Sequence, residues 1–251
     1  MNITITIERY NPGEDSELYE QSYPVSVTRE QRVLDALIEI KRHQDATLGF
    51  RYSCAHGVCG SDAMRINGRE RLACKTLVKD VAAQDGDVVK LQPLRHFRVE
   101  RDLMVDQDGF FQKYRKVHPY LFARNPVAKG ERREQLQSVE ERALFDDATK
   151  CILCGACYSA CPVPAERPSF IGPAALVQAA RFVNDSRDKG LEPRLKALDH
   201  ADGVWACAGH FECTRVCPRE IKVTKLINQL KRHIRKYREA RGESTAEPKI
   251  E

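Results

Sequence analysis

Apolar and polar positions alternate along residues 2–8 (NITITIE), the pattern of a strand buried on one face. Residues 22–28 (SYPVSVT) read as its partner. Pro24 has no N–H to give to a ladder and so assigns this second strand to a sheet edge, and Asn11, Pro12 and Gly13 mark the turn between the two. Thr28 followed by Gln31 resembles a capping box, after which Val33, Leu34, Leu37, Ile38 and Ile40 repeat at helical spacing to about Lys41. The periodicity then stops in a long loop, FRYSCAHGVCGSDAMRING. Asn67-Gly68 at its end predicts a hairpin between short strands at Ala63–Ile66 and 71–73, and a last strand over 87–91 ends before Pro93. Strands, one helix and a long loop make an α+β domain over residues 1–104.

From 105 to 241 the pattern is helical. The stretch is at first polar and irregular, with Gly109, Pro119 and Pro126 as breakers. Charged residues dominate 129–142 and read as a solvated linker and helix face. Helices are expected over 138–149, from Gly172-Pro173 to about Asn184 with Ala174, Leu176, Val177, Ala180 and Val183 buried, over Leu191–Leu198, and from Ile221 onward on Leu226, Ile227, Leu230 and Ile234. Residues 242–251 read as a frayed tail.

Composition narrows the function. The chain has 251 residues, 42% of them hydrophobic, yet no run approaches the roughly 18 apolar residues a spanning helix needs. MNITITIERY lacks the basic and apolar regions of a signal peptide, so a cytoplasmic chain is expected, touching membrane only through a partner. A net charge of +5 is too mild to imply nucleic acid. Ten cysteines without an export signal point to metal ligation rather than disulfides.

The cysteine spacings carry the chemistry. CILCGACYSACP places Cys151, Cys154, Cys157 and Cys161 as C-x2-C-x2-C-x3-C-P, the bacterial-type run for a cubane cluster, whose fourth cysteine serves a second cluster. The second set is Cys207, Cys213 and Cys217, the last again followed by proline. Regular spacing would require another cysteine at position 210, where the chain has His210. Crossing over, Cys217 joins Cys151, Cys154 and Cys157 around a [4Fe–4S] cluster. Cys161, Cys207 and Cys213 are left as a three-thiolate set whose simplest occupant is [3Fe–4S]; the rival reading gives His210 a fourth iron.

In the N-terminal loop, Cys54 and Cys59 have the C-x4-C spacing of plant-type [2Fe–2S] ferredoxins, with Asp62 in the slot of the third cysteine and Cys74 as a distant fourth ligand. The alternative leaves Asp62 a surface acid and completes the site with Ser61 or water. Zinc usually sits between paired C-x2-4-C units, and neither motif here has that plan. The other six histidines show no ligand spacing. No nucleophile–base pair, phosphate loop or dinucleotide fingerprint appears, so three clusters along one chain read as a wire for electrons between other subunits.

SCAHGVCGSDAMRING with Cys74, then CILCGACYSACP, FIGPAALVQAARFVNDSRD and the Cys207–Cys213–Cys217 region resemble the iron–sulfur subunit of succinate dehydrogenase and fumarate reductase. The resemblance runs through nearly the whole chain. It implies a β-grasp plant-type ferredoxin domain followed by an all-helical, two-cluster bacterial-ferredoxin-like domain. It also implies a FAD-containing flavoprotein partner beside the [2Fe–2S] cluster, a membrane anchor subunit, often with haem, and a quinone near the [3Fe–4S] cluster. The setting would be the cytoplasmic face of a bacterial or archaeal plasma membrane, with the chain peripheral. Several bacterial members share the aspartate found here as Asp62. Ubiquinone-reducing members carry two tryptophans soon after the third-cluster Cys-Pro, where this chain has Val163, Pro164, Ala165 and Glu166, and a histidine where it has Ala208. Pro162, His210 and Trp205, the sole tryptophan, are the candidate quinone-pocket residues; alternatively Trp205 only packs in the helical core. The same wire run backwards would serve a quinol:fumarate reductase, and a free-standing soluble ferredoxin is the rival of a different class. The basic last helix, from Lys222 to Arg241, suits an anionic membrane surface or, more simply, solvent.

Overall fold

The computed structural model describes residues 1–122 and 134–248; the expected break at Pro126, residues 129–133 of the charged run and the last three residues of the tail lie outside them. The chain divides into two compact units, Met1–Gly109 with Ile152–Ala160, and Phe110–Cys151 with Cys161–Glu251.

In the first unit, β1 (Asn2–Arg9) points Ile3, Ile5 and Ile7 into the core. It pairs antiparallel with β2 (Tyr19–Ser26), which lies at the sheet edge with Pro24 opposite Thr4. Helix α1 (Val33–His43) buries Val33, Leu34, Ala36, Leu37 and Ile40. Its N-terminus is closed by Asp35, whose carboxylate accepts the Arg32 N–H at 2.8 Å, while Gln31 closes a separate turn by accepting the Thr28 N–H at 2.7 Å. After the cysteine loop, β3 (Ala63–Ile66) and β4 (Arg69–Leu72) form the expected hairpin, with Asn67 (φ 50°) and Gly68 (φ 78°) both in the left-handed region that a two-residue turn needs. Strand β5 (Val88–Gln92) runs parallel to β1 and antiparallel to β3, giving the mixed order β2-β1-β5-β3-β4.

A second hairpin, β6 (Val99–Arg101) with β7 (Met104–Val105), was not legible, because its turn has no glycine. Asp102 makes it at φ 48° and is almost fully buried. Its carboxylate accepts from Arg9 Nε at 2.8 Å and from the N–H groups of Tyr10 and Gly49 at 2.9 and 2.6 Å. Arg9 also pairs with Asp45 at 2.5 Å, so one buried cation ties the end of β1 to the chain entering the cysteine loop.

Gly109, expected as a breaker, lies inside α2 (Asp108–Arg115); glycine is tolerated in a first turn whose Asp108 N–H is taken by Asp106 at 2.8 Å. The helix expected over 138–149 is two pieces, α3 (Val139–Ala143) and α4 (Asp146–Thr149). Ser138 and Glu141 form a capping box at 3.2 and 2.9 Å. Phe145, wholly buried beneath Arg142 and Arg181, then leaves helical geometry. The cysteine run contributes α5 (Ala156–Ser159) to the first unit, and α6 (Val163–Glu166) follows in the second.

Helix α7 (Pro173–Val183) buries Phe182 rather than Val183, which is half-exposed. Helices α8 (Leu191–Leu198), α9 (Glu212–Arg215) and α10 (Val223–Ala240) complete the second unit, with Leu226, Ile227, Leu230 and Ile234 on the buried face of α10. Arg194, fully buried, joins Asp188 to the carbonyls of His118 and Tyr120. Residues 242–248 have no regular structure, but Arg238 Nη1 donates to the carbonyls of Ser244 and Ala246 at 3.2 and 2.6 Å.

Candidate metal centres

The loop between α1 and β3 wraps around Cys54. Its Sγ accepts N–H groups from Val58 and Cys59, both at 3.3 Å, and from His56 at 3.5 Å. These donors, His56 first, lower the thiol to about 6 and favour the thiolate that a metal requires. Gly57 lets the stem of Lys75 lie against the loop, since a Cβ there would fall 2.4 Å from Lys75 Cδ. Cys59 Sγ lies 3.1 Å from Ser61 Oγ. Cys74 is buried, and burial, then the neighbouring Asp62 carboxylate, pushes its thiol up to about 12.

Asp62 is almost completely enclosed. One carboxylate oxygen accepts the Cys74 N–H at 2.5 Å, while the other, Oδ1, is buried without a partner. A buried acceptor left unmatched costs about 1–3 kcal/mol or more. This orphaned oxygen beside Cys74 is what a missing cation would satisfy, so the donor set fits an iron group.

The first cysteine run sits in the first unit from Ile152 to Ala160. Leu153 (φ 53°) and Gly155 (φ 80°) turn the chain back twice before α5, which brings Cys154 inward and leaves Cys157 half-buried. Cys151 and Cys217, expected with them, lie in the second unit, both half-buried. All ten cysteines are free of disulfides. Among the described residues no three His, Cys, Asp or Glu side chains converge on a single-ion site.

Within the second unit Cys161, Cys207 and Cys213 line one open pocket together with Pro162, Phe170, Phe211 and Ile227. Burial raises the Cys161 thiol to about 11, with Cys213 and Cys207 adding to it, and burial also raises Cys213. Thr224 Oγ1 lies 3.6 Å from Cys213 Sγ. His210 is an exposed part of the lining. Trp205 lies outside the lining: it is 1% exposed, and its Nε1 donates to Asp199 Oδ1 at 2.7 Å. Lys231, Arg235 and Arg238 surround its ring at 5.6, 5.3 and 5.8 Å, so part of the basic helix faces a tryptophan rather than water. Lys231 Nζ also donates to the Cys207 carbonyl at 2.9 Å. Sequence spacing carried no signal for that contact.

Residues 4–112 match the family described as 2Fe-2S iron-sulfur cluster binding domain, and residues 147–221 match the 4Fe-4S dicluster domain. The fumarate reductase iron–sulfur subunit of Mycobacterium tuberculosis is 42% identical over 231 residues, 91% of each chain. The chain belongs to the succinate dehydrogenase/fumarate reductase iron–sulfur subunit family. Another relative of this iron–sulfur subunit is the succinate dehydrogenase iron–sulfur subunit of Coxiella burnetii, 40% identical over 91% of this chain and 95% of the relative. A chain of the Mycobacterium smegmatis Sdh1 complex in the apo form superposes with a TM-score of 0.82 at 27% identity, covering 95% of this subunit and 97% of that chain. As the resemblance implied, a mixed-sheet ferredoxin-type domain precedes a mostly helical cluster domain. No helix among the described residues of the subunit is long and apolar enough to cross a membrane.

Proposed function

We propose that this chain is the electron-transfer iron–sulfur subunit of a respiratory complex of the succinate dehydrogenase/fumarate reductase type, and that the chemistry on succinate or fumarate belongs to another subunit. The observation that carries the reading is the order of cluster-ligand loops, which coincides with a family relationship spanning nearly the whole chain. The assigned ligands are Cys54, Cys59, Asp62 and Cys74 for [2Fe–2S], Cys151, Cys154, Cys157 and Cys217 for [4Fe–4S], and Cys161, Cys207 and Cys213 for [3Fe–4S]. When bound, such clusters accept and release single electrons.

The chain's own residues tune these seats. N–H groups from His56, Val58 and Cys59 stabilise the charge on Cys54. Burial of Cys161 and Cys213 keeps water from two ligands of the third seat. Exposed His210 and Phe211 beside that seat leave one side open for a partner molecule, and a quinone is the proposed one. A FAD-containing flavoprotein and a membrane anchor, with or without haem, complete the proposed assembly on the cytoplasmic face of the membrane.

Turnover in the direction of succinate oxidation is the reading adopted; the fumarate reductase relative supports the reverse direction as a second reading. A tagged chain isolated with its native membrane fraction tests the assignment. The expected result is co-isolation of a flavoprotein, with quinone reduction by succinate faster than fumarate reduction by quinol. A stable, coloured monomer without flavin would instead identify a soluble carrier.

A further inference from the structure

The first cysteine run and the [2Fe–2S] loop touch within the first unit. A Cβ built on Gly60 would lie 2.7 Å from Cys154 Cβ, closer than real Cβ atoms approach, and a tight 3.1 Å from its Cα. Gly60 follows the proposed ligand Cys59, and Cys154 is a proposed ligand of the neighbouring cluster. The two ligand segments therefore meet with only a glycine hydrogen between them, at a residue whose φ of 70° also disfavours any side chain.

Such a close seat needs a lock, and one lies five residues further along. Ser159 is completely buried between Cys157 and Cys161. Its hydroxyl donates to Glu70 Oε1 at 2.8 Å and accepts the Arg95 N–H at 2.8 Å. Glu70 is itself 95% enclosed, at 5% exposure, on β4, directly across the ladder from Arg65. A carboxylate hidden this deeply in a sheet is expensive; beside the charge it offers Arg65 across the ladder, its hydrogen bond goes to Ser159. Tyr158, stacked edge-on against Phe97 at 5.3 Å, sits on the same side of the run.

We propose that Glu70, acting through Ser159, is a positioning residue that seats the first cysteine run on the [2Fe–2S] loop, with Gly60 against Cys154 as the contact point. The seat fixes the separation of Cys154 and Cys157 from the ligands of the [2Fe–2S] loop, and electron exchange between groups held on them falls steeply with separation. This inference rests on the ligand assignment above.

The test uses the purified complex carrying Ser159→Ala or Glu70→Leu, with Glu70→Gln as the conservative variant. Iron and sulfide are counted, and microwave power saturation of the fully reduced [2Fe–2S] EPR signal is recorded. Relaxation of that signal by a neighbouring paramagnet depends strongly on distance. Ser159→Ala and Glu70→Leu are expected to lose the relaxation enhancement while both signals persist. Glu70→Gln, whose carbonyl oxygen accepts from the same hydroxyl, is expected to keep it. Selective loss of the cubane signal with [2Fe–2S] retained also supports the proposal. Unchanged saturation in Ser159→Ala at full iron content overturns it, as does loss of both clusters together, which would show a general folding role. A wild-type complex lacking either signal would refute the ligand assignment instead.

Discussion

Replacing Asp62 by alanine separates a ligand from a structural acid, because the two roles have opposite signatures. In the chain stripped of iron, the substitution removes the acceptor of the buried Cys74 N–H, a bond of 2.5 Å to a carboxylate, worth about 1.5–3 kcal/mol. The same substitution removes Oδ1, which is buried and unpartnered, and so relieves a penalty of about 1–3 kcal/mol. These terms largely cancel, and urea unfolding of the iron-free chain is expected to shift by less than about 2 kcal/mol. In the iron-loaded complex nothing cancels: the proposed ligand is gone, and the [2Fe–2S] content is expected to collapse while the other clusters stay. Asp62→Cys supplies a thiolate in the same slot, and should keep the cluster with an altered EPR line shape. Iron and sulfide counts with EPR on reduced samples are the assay. A full [2Fe–2S] count and an unchanged signal in Asp62→Ala would refute the reasoning, above all if the iron-free chain were strongly destabilised.

At Gly57, alanine meets the Lys75 stem and a φ of 79°; left-handed backbone costs about 1–2 kcal/mol, so Gly57→Ala should shorten the lifetime of the [2Fe–2S] absorbance, and adding Lys75→Ala should restore only the contact part. Trp205→Ala is expected to lower stability by about 3–5 kcal/mol. Trp205→Phe, which keeps the ring under the three cations but loses the bond to Asp199, should cost about 1.5–3 kcal/mol, both read from unfolding midpoints. Burial, with Lys236 and Arg232 nearby, holds the His233 imidazole below its usual value of 6.5. The unfolded chain then takes up the proton first, so this contribution is whole above about pH 6.5 and is lost on acidification towards the folded value. His233→Gln, which can still donate to Asn184, should flatten the fall in stability between about pH 7.5 and about pH 5.5.

How much was legible differs between backbone and site. Alternating isoleucines and a single Asn-Gly located the sheet, because period and turn chemistry are local properties. The β6–β7 hairpin was hidden because its turn residue, Asp102, is held by Arg9, 93 positions away. The break between α3 and α4 was hidden for a similar reason: Phe145 leaves the helix to lie beneath Arg181, a residue of another helix. Cysteine spacing named every candidate ligand, since ligand geometry on one tight loop is also local. It had no access to what surrounds the thiols. The Lys231 contact to the Cys207 carbonyl, Thr224 beside Cys213 and the Ser159–Glu70 bond all join residues distant in sequence. Trp205 illustrates the limit: its position two residues before Cys207 left a pocket wall and core packing both open, and the fold encloses it among cations and Asp199, outside the pocket lining.

The three-cluster assignment is tested most directly by low-temperature EPR of the purified complex, first air-oxidised and then reduced, with iron and sulfide counted on the same sample. The expected result is a [3Fe–4S] signal in the oxidised state, with [2Fe–2S] and [4Fe–4S] signals appearing on reduction. An EPR-silent oxidised sample that reveals two cubanes on reduction would contradict the assignment, and would put a fourth iron, held by His210 or another group, at the seat of Cys161, Cys207 and Cys213.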